Sequence, residues 1–131
     1  VEVSELMRTP VVTTTGHTTL CAAAARMRDH GIGALAVVDD DGALAGIITE
    51  RDLVRAVADG RTPRVTPVEW YASPLPATIG PDADCSAAAR IMVRHQVRHL
   101  PVTRAGRPVG MLAARDLLLV EAWSREVAAA P

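Results

Sequence analysis

The chain lacks lysine and phenylalanine, and it is poor in aromatics, which make up 2% of its 131 residues. Trp70, Tyr71 and Trp123 are the only aromatic rings. Without lysine there can be no lysine Schiff base, no phosphate-loop lysine and no lysine general base. All 14 side chains counted as Lys or Arg are arginine. Two cysteines, Cys21 and Cys85, are too few for a disulfide scaffold or a cysteine metal cluster. No apolar run approaches the ~20 residues of a membrane span. The first residues, VEVSELM, carry two acids and no signal-peptide pattern. A cytoplasmic setting is expected. The formal net charge of −1 argues against wholesale nucleic-acid binding.

What the chain does have is 49% hydrophobic residues, mostly Ala, Val, Leu and Ile. Such a composition predicts a packed core made from small aliphatic groups. Alanine gains little by burial, so the backbones must approach closely.

An internal repeat organises the chain. Shifting by 65 aligns Met27 with Met92, Leu35 with Leu100 and Val37 with Val102. After one deletion the shift becomes 64, and Gly46 meets Gly110 while Arg51-Asp52 meets Arg115-Asp116. Within the first copy, Leu20, Ala23, Ala24, Met27 and Gly31 mark one face of a helix. Thr19 and Asp84 are its predicted N-caps in the two copies, and Gly31 ends the first helix. Two strands joined by a tight turn follow, Leu35 to Val38 with Ala45 to Ile48, then Leu100 to Thr103 with Val109 to Leu112. A further helix starts near Thr49 and near Ala113, and the last helix is expected to reach about Ala129. Thr66-Pro67-Val68-Glu69 reads as another helix start, with Thr66 as the cap. Residues 1–62 and 63–131 are the two repeats, and neither is large enough to be comfortable alone.

A β-α-β-β-α unit present twice resembles the cystathionine β-synthase (CBS) domain pair. The residues that carry the resemblance are Met7 to Thr13, Gly46-Ile47-Ile48-Thr49-Glu50-Arg51-Asp52 and Val97-Arg98-His99-Leu100-Pro101-Val102. The resemblance implies an α/β (α+β) fold in which the two repeats pack as a pseudo-two-fold pair. It covers nearly the whole chain, so no attached catalytic domain is expected. It also implies a regulatory module that is not an enzyme and that forms a homodimer through its helices. AMP, ADP, ATP or S-adenosylmethionine would bind between the repeats, with no required cofactor and no metal. On the same footing, Thr49, Arg51, Asp52, Arg98, His99 and Asp116 are candidate ligand contacts. The matching Thr lies near phosphate, and the matching Asp accepts the ribose hydroxyls.

The residues themselves also allow plainer readings. Thr49 to Asp52 is a capping-box arrangement. The second repeat has Ala113 in place of Thr49, so no reciprocal box is expected there, yet Asp116 remains. Five arginines lie between Arg90 and Arg107 with no acid among them, and four of these suit a solvated face. Arg98 offers a fork of donors to phosphate. His99 is either a charge beside an anion or a hydrogen-bonded histidine at the interface. The cleft at Thr49 is expected to bind better than the one at Ala113. The competing function is a dimeric interaction module without nucleotide, using Leu117 to Val120, Ala122 and Trp123 as a contact surface.

Overall fold

The computed structural model describes residues 1–74 and 76–120. The first repeat runs from helix α1 (Val3–Leu6) through β1 (Thr13–Thr15), α2 (Leu20–His30), β2 (Ala34–Val38) and β3 (Leu44–Thr49) to α3 (Glu50–Ala58). A 3-10 turn at Val68–Trp70 leads to β4 (Ser73–Pro74), α4 (Cys85–His95), β5 (His99–Arg104) and β6 (Arg107–Ala113). Helix α5 covers residues 114–120. The part of the last helix expected beyond 120, with Ala122 and Trp123, lies outside the described residues. The order of elements repeats as the sequence repeats, giving the expected mixed α/β fold.

Local chemistry explains the helix ends. The Thr19 hydroxyl accepts the Ala22 N–H at 3.2 Å at the start of α2, and Asp84 accepts the Ser86 N–H at 2.9 Å at the start of α4. Gly31 closes α2 in the left-handed conformation, and Gln96 takes that conformation after α4. The helix expected from Thr66 is a single 3-10 turn preceded by Pro67. The Thr66 hydroxyl donates to the Thr62 carbonyl at 2.8 Å, so it does not cap a new helix.

β1 to β4 form one sheet in that order, β1 parallel to β2 and the other neighbours antiparallel. β5 and β6 form an antiparallel pair, joined by a parallel bridge from Ile79 to Val102. Each repeat's leading segment completes the other repeat's core. Val3 is buried with Leu100, Val102 and Leu112, while Val68 and Tyr71 are buried with Leu20, Leu35 and Ile48. Backbone hydrogen bonds fix both exchanges: Arg8 N–H to the Met111 carbonyl at 2.8 Å, and Val68 N–H to the Thr18 carbonyl at 2.8 Å. A third buried cluster joins Ala34, Ala36 and Ile47 to Met111 across the two sheets. Ala23, Ala56 and Ala88 are fully buried, as the aromatic-poor composition requires. The exchange matters for function because it carries β4 onto β3. A Cβ on Gly46 would meet the Ser73 carbonyl oxygen at 2.7 Å, so only glycine admits the strand there.

Candidate functional site

Where β3 ends, Thr49 leaves the sheet and α3 begins. The capping box between Thr49 and Asp52 forms. One Asp52 oxygen, Oδ2, accepts the Thr49 N–H at 2.9 Å and its hydroxyl at 3.1 Å. The other, Oδ1, accepts Arg55 Nη1 at 3.1 Å. Asp52 is 5% exposed. The repeat-related position behaves alike in part: Asp116 accepts the Ala113 N–H at 2.9 Å. Half of the box therefore survives in the second repeat, because the strand-end N–H needs an acceptor whether or not Thr precedes it. The persistence of Asp116 has a capping explanation after all.

A cleft of about 450 Å³ opens beside Thr49, with walls from β4 and from the segment 95–99. Thr49, Arg51, Asp52, Arg98 and His99 all line it. This size lies within the ~300–1,000 Å³ usual for small-molecule sites. A second cleft of about 180 Å³ is lined by Arg8, His30, Ala34, Ala113 and Arg115 among others. The two are repeat equivalents: Ser73, His95, Thr49 and Arg51 in the first correspond to Arg8, His30, Ala113 and Arg115 in the second. Asp116 lines neither. The acids Glu50 and Asp52 line the Thr49 cleft, whereas no acid lines the second cleft, whose arginines are Arg8 and Arg115.

Between them, a third cleft of about 750 Å³ is bounded by α2, the start of α3 and the start of α5. Gly33 and His99 border all three clefts. Gly33 carries the α3 start on its carbonyl, which accepts the Glu50 N–H at 3.0 Å. The Arg98 carbonyl does the same for Ala114 N–H at 2.8 Å.

Burial pushes His99 below its ordinary value of 6.5. Glu50 and Asp116 pull it upward, and Arg115 and Arg98 push it down, but desolvation is the largest influence. This desolvation disfavours the protonated ring, and an anion bound beside it would act in the opposite direction. Among the described residues its ring makes no hydrogen bond to a protein group, and its nitrogens are not among the buried atoms left without a partner. Arg98 is exposed on the cleft wall. The other four arginines of the basic stretch line none of the three clefts, and Arg104 lies 3.9 Å from Asp82.

Two cleft features escape the sequence reading. Glu50 borders the Thr49 cleft and the central cleft and sits against Gly33, where a Cβ would come within 3.2 Å of its carboxyl. Its repeat mate is Ala114, so the asymmetry was visible in the repeat alignment. The β4 wall left only the dipeptide Ser73-Pro74 as a signal. Among the described residues, no group of three His, Cys, Asp or Glu is placed to hold a metal ion. Nor is any helix there long and apolar enough to cross a membrane.

The CBS domain family model matches residues 3–59 and 71–122. The CBS domain-containing protein YhcV of Bacillus subtilis is 35% identical over 116 residues, covering 88% of this chain and 81% of that protein. The solved structure of Hypoxic Response Protein I with two coordinated zinc ions is similar at a TM-score of 0.80 and 32% identity, over 91% of this chain and 98% of that one. A CBS domain protein of Pyrobaculum aerophilum complexed with AMP gives a TM-score of 0.87 and 29% identity, over 99% of this chain and 100% of that one.

Proposed function

Since this chain belongs to the CBS-domain family, we propose that it is a regulatory module that binds an adenosine-containing nucleotide in the cleft at Thr49 and Asp52. The observation that carries this reading is the gathering of five candidate residues around one cleft of about 450 Å³. A buried carboxylate can take hydroxyl donors, and Arg51 and Arg98 supply cations for phosphate. AMP, held by the similar Pyrobaculum protein, fits this chemistry; ADP, ATP and S-adenosylmethionine share its adenosine. With few aromatic rings in the chain, the adenine would rest on aliphatic walls such as Ile47 and Val97.

The module acts as a sensor and not as an enzyme, by changing the contacts of a homodimer or of a protein partner. Exposed apolar residues on the helices support the dimer: Val54 and Val57 on α3, Leu118 and Leu119 on α5. A cytoplasmic setting suits two free cysteines, one exposed and one buried. The same exposed apolar residues favour the second reading, a dimeric interaction module that takes no nucleotide.

Thermal unfolding with AMP, ATP or S-adenosylmethionine separates the two. A ligand at a hundred times its dissociation constant adds about 2.7 kcal/mol of stability and raises Tm. No shift with any of them refutes the nucleotide reading. A sedimentation-equilibrium mass equal to one chain would refute the dimer in both readings.

A further inference from the structure

The acceptor capacity of Asp52 is nearly used up within the chain. An ionised carboxylate offers about four lone-pair positions. Three are taken: Thr49 N–H and Thr49 O–H on Oδ2, and Arg55 Nη1 on Oδ1. A ribose brings two neighbouring hydroxyl donors, so binding both requires one present donor to leave. The Thr49 N–H bond belongs to the capping box that starts α3, and the same box holds the Thr49 hydroxyl oxygen on the Asp52 N–H, within reach of Oδ2. Arg55 is the donor free to go, with a side chain 57% exposed. A ligand with a single hydroxyl at that place needs only the fourth position and leaves Arg55 where it is.

Arg55 also connects to the linker between the repeats. Its guanidinium lies 5.7 Å from the Tyr71 ring centroid. The Tyr71 hydroxyl donates to Asp59 at 2.8 Å and accepts from Arg61 at 3.3 Å. Arg61 in turn lies over the Trp70 ring, 5.2 Å from its centroid. Trp70 is 59% exposed and Tyr71 is buried in the first repeat's core. One continuous set of contacts therefore runs from the Asp52 carboxylate to both aromatic residues of the 68–71 segment.

We propose that Arg55 is a specificity-determining residue of this cleft: a vicinal diol displaces it from Asp52, and the displacement is felt at Tyr71 and Trp70. The diol part rests on the nucleotide reading above; the connection to Trp70 does not.

The test uses the full chain carrying Trp123→Phe, so that Trp70 is the only tryptophan. Without nucleotide, Asp52→Asn removes the ion pair with Arg55 and keeps an acceptor for the cap. It shifts Trp70 emission, and the shift is absent when Arg55→Met is already present. An Asp52→Asn chain with unchanged emission overturns the connection, whatever the cleft binds. Titration calorimetry with AMP and 2′-deoxy-AMP tests the selectivity. Arg55→Met binds AMP about two- to fivefold more tightly, because no donor has to leave. It leaves 2′-deoxy-AMP affinity unchanged. An equal response of the two nucleotides overturns the role of Arg55. Binding of neither to the unaltered chain refutes the nucleotide reading and with it the diol selectivity, while the emission experiment still decides the connection to Trp70.

Discussion

The Thr49 cleft and the Ala113 cleft are built from repeat-equivalent residues, yet their walls offer different chemistry. Both begin where an inner strand gives way to a helix, and both place a buried Asp three residues into the turn. The first keeps a Thr hydroxyl, a carboxylate on the cleft wall and about 450 Å³ of room. The second has Ala113, an Asp116 absent from its lining and about 180 Å³. A duplicated unit can therefore preserve a structural cap at both positions while the cleft beside it differs in size and lining. The Asp alone does not tell the two apart; the hydroxyl before it and the room beside it do.

The two repeats differ most in how tightly a glycine admits each leading segment. Gly46→Ala forces its Cβ onto the Ser73 backbone oxygen, whereas Gly110→Ala meets first the end of the Met7 side chain, which can turn away. Urea unfolding is expected to show a loss of about 1–3 kcal/mol for Gly46→Ala and a smaller loss for Gly110→Ala. Ala113→Thr rebuilds the missing hydroxyl and completes the capping box of α5. It is expected to stabilise the fold by about 0.5–1 kcal/mol in the same assay.

A smaller effect concerns pH. Because burial holds His99 below its ordinary 6.5, the unfolded chain takes up a proton before the folded one does. Stability contributed by the neutral form is present above pH 6.5 and falls as the pH drops below it. His99→Ala, which copies the first repeat's Ala34, flattens the Tm profile between pH 7 and 5. A slope unchanged by the substitution contradicts the burial of a neutral ring.

Much of the fold was legible because local signals agree with the final packing. Thr19, Asp84 and Gly31 mark helix ends by side-chain chemistry that acts within one turn. The strands around Val37 and Val102 announce themselves by composition and by the repeat. The exchange of leading segments was not legible. Val3 and Val68 each complete a distant core, and nothing in the periodicity of a four-residue turn says which hydrophobic face it will cover. The Thr66 helix start failed for a related reason: a hydroxyl that suits a cap also suits the Thr62 carbonyl. At the site, Thr49 and Asp52 were legible as a pair, but the competing donor Arg55 and the β4 wall appear only once the chain is folded.

We propose that Asp52 serves a ligand and Asp116 serves only its helix. Titration calorimetry with AMP on Asp52→Ala and Asp116→Ala tests it directly, since both substitutions remove the acceptor of a strand-end N–H. The expected result is a loss of affinity of about tenfold or more for Asp52→Ala, the scale of hydrogen bonds to a charged group, and a change of less than about twofold for Asp116→Ala. Equal losses in the two variants, or an affinity that Asp52→Ala leaves untouched, would contradict it.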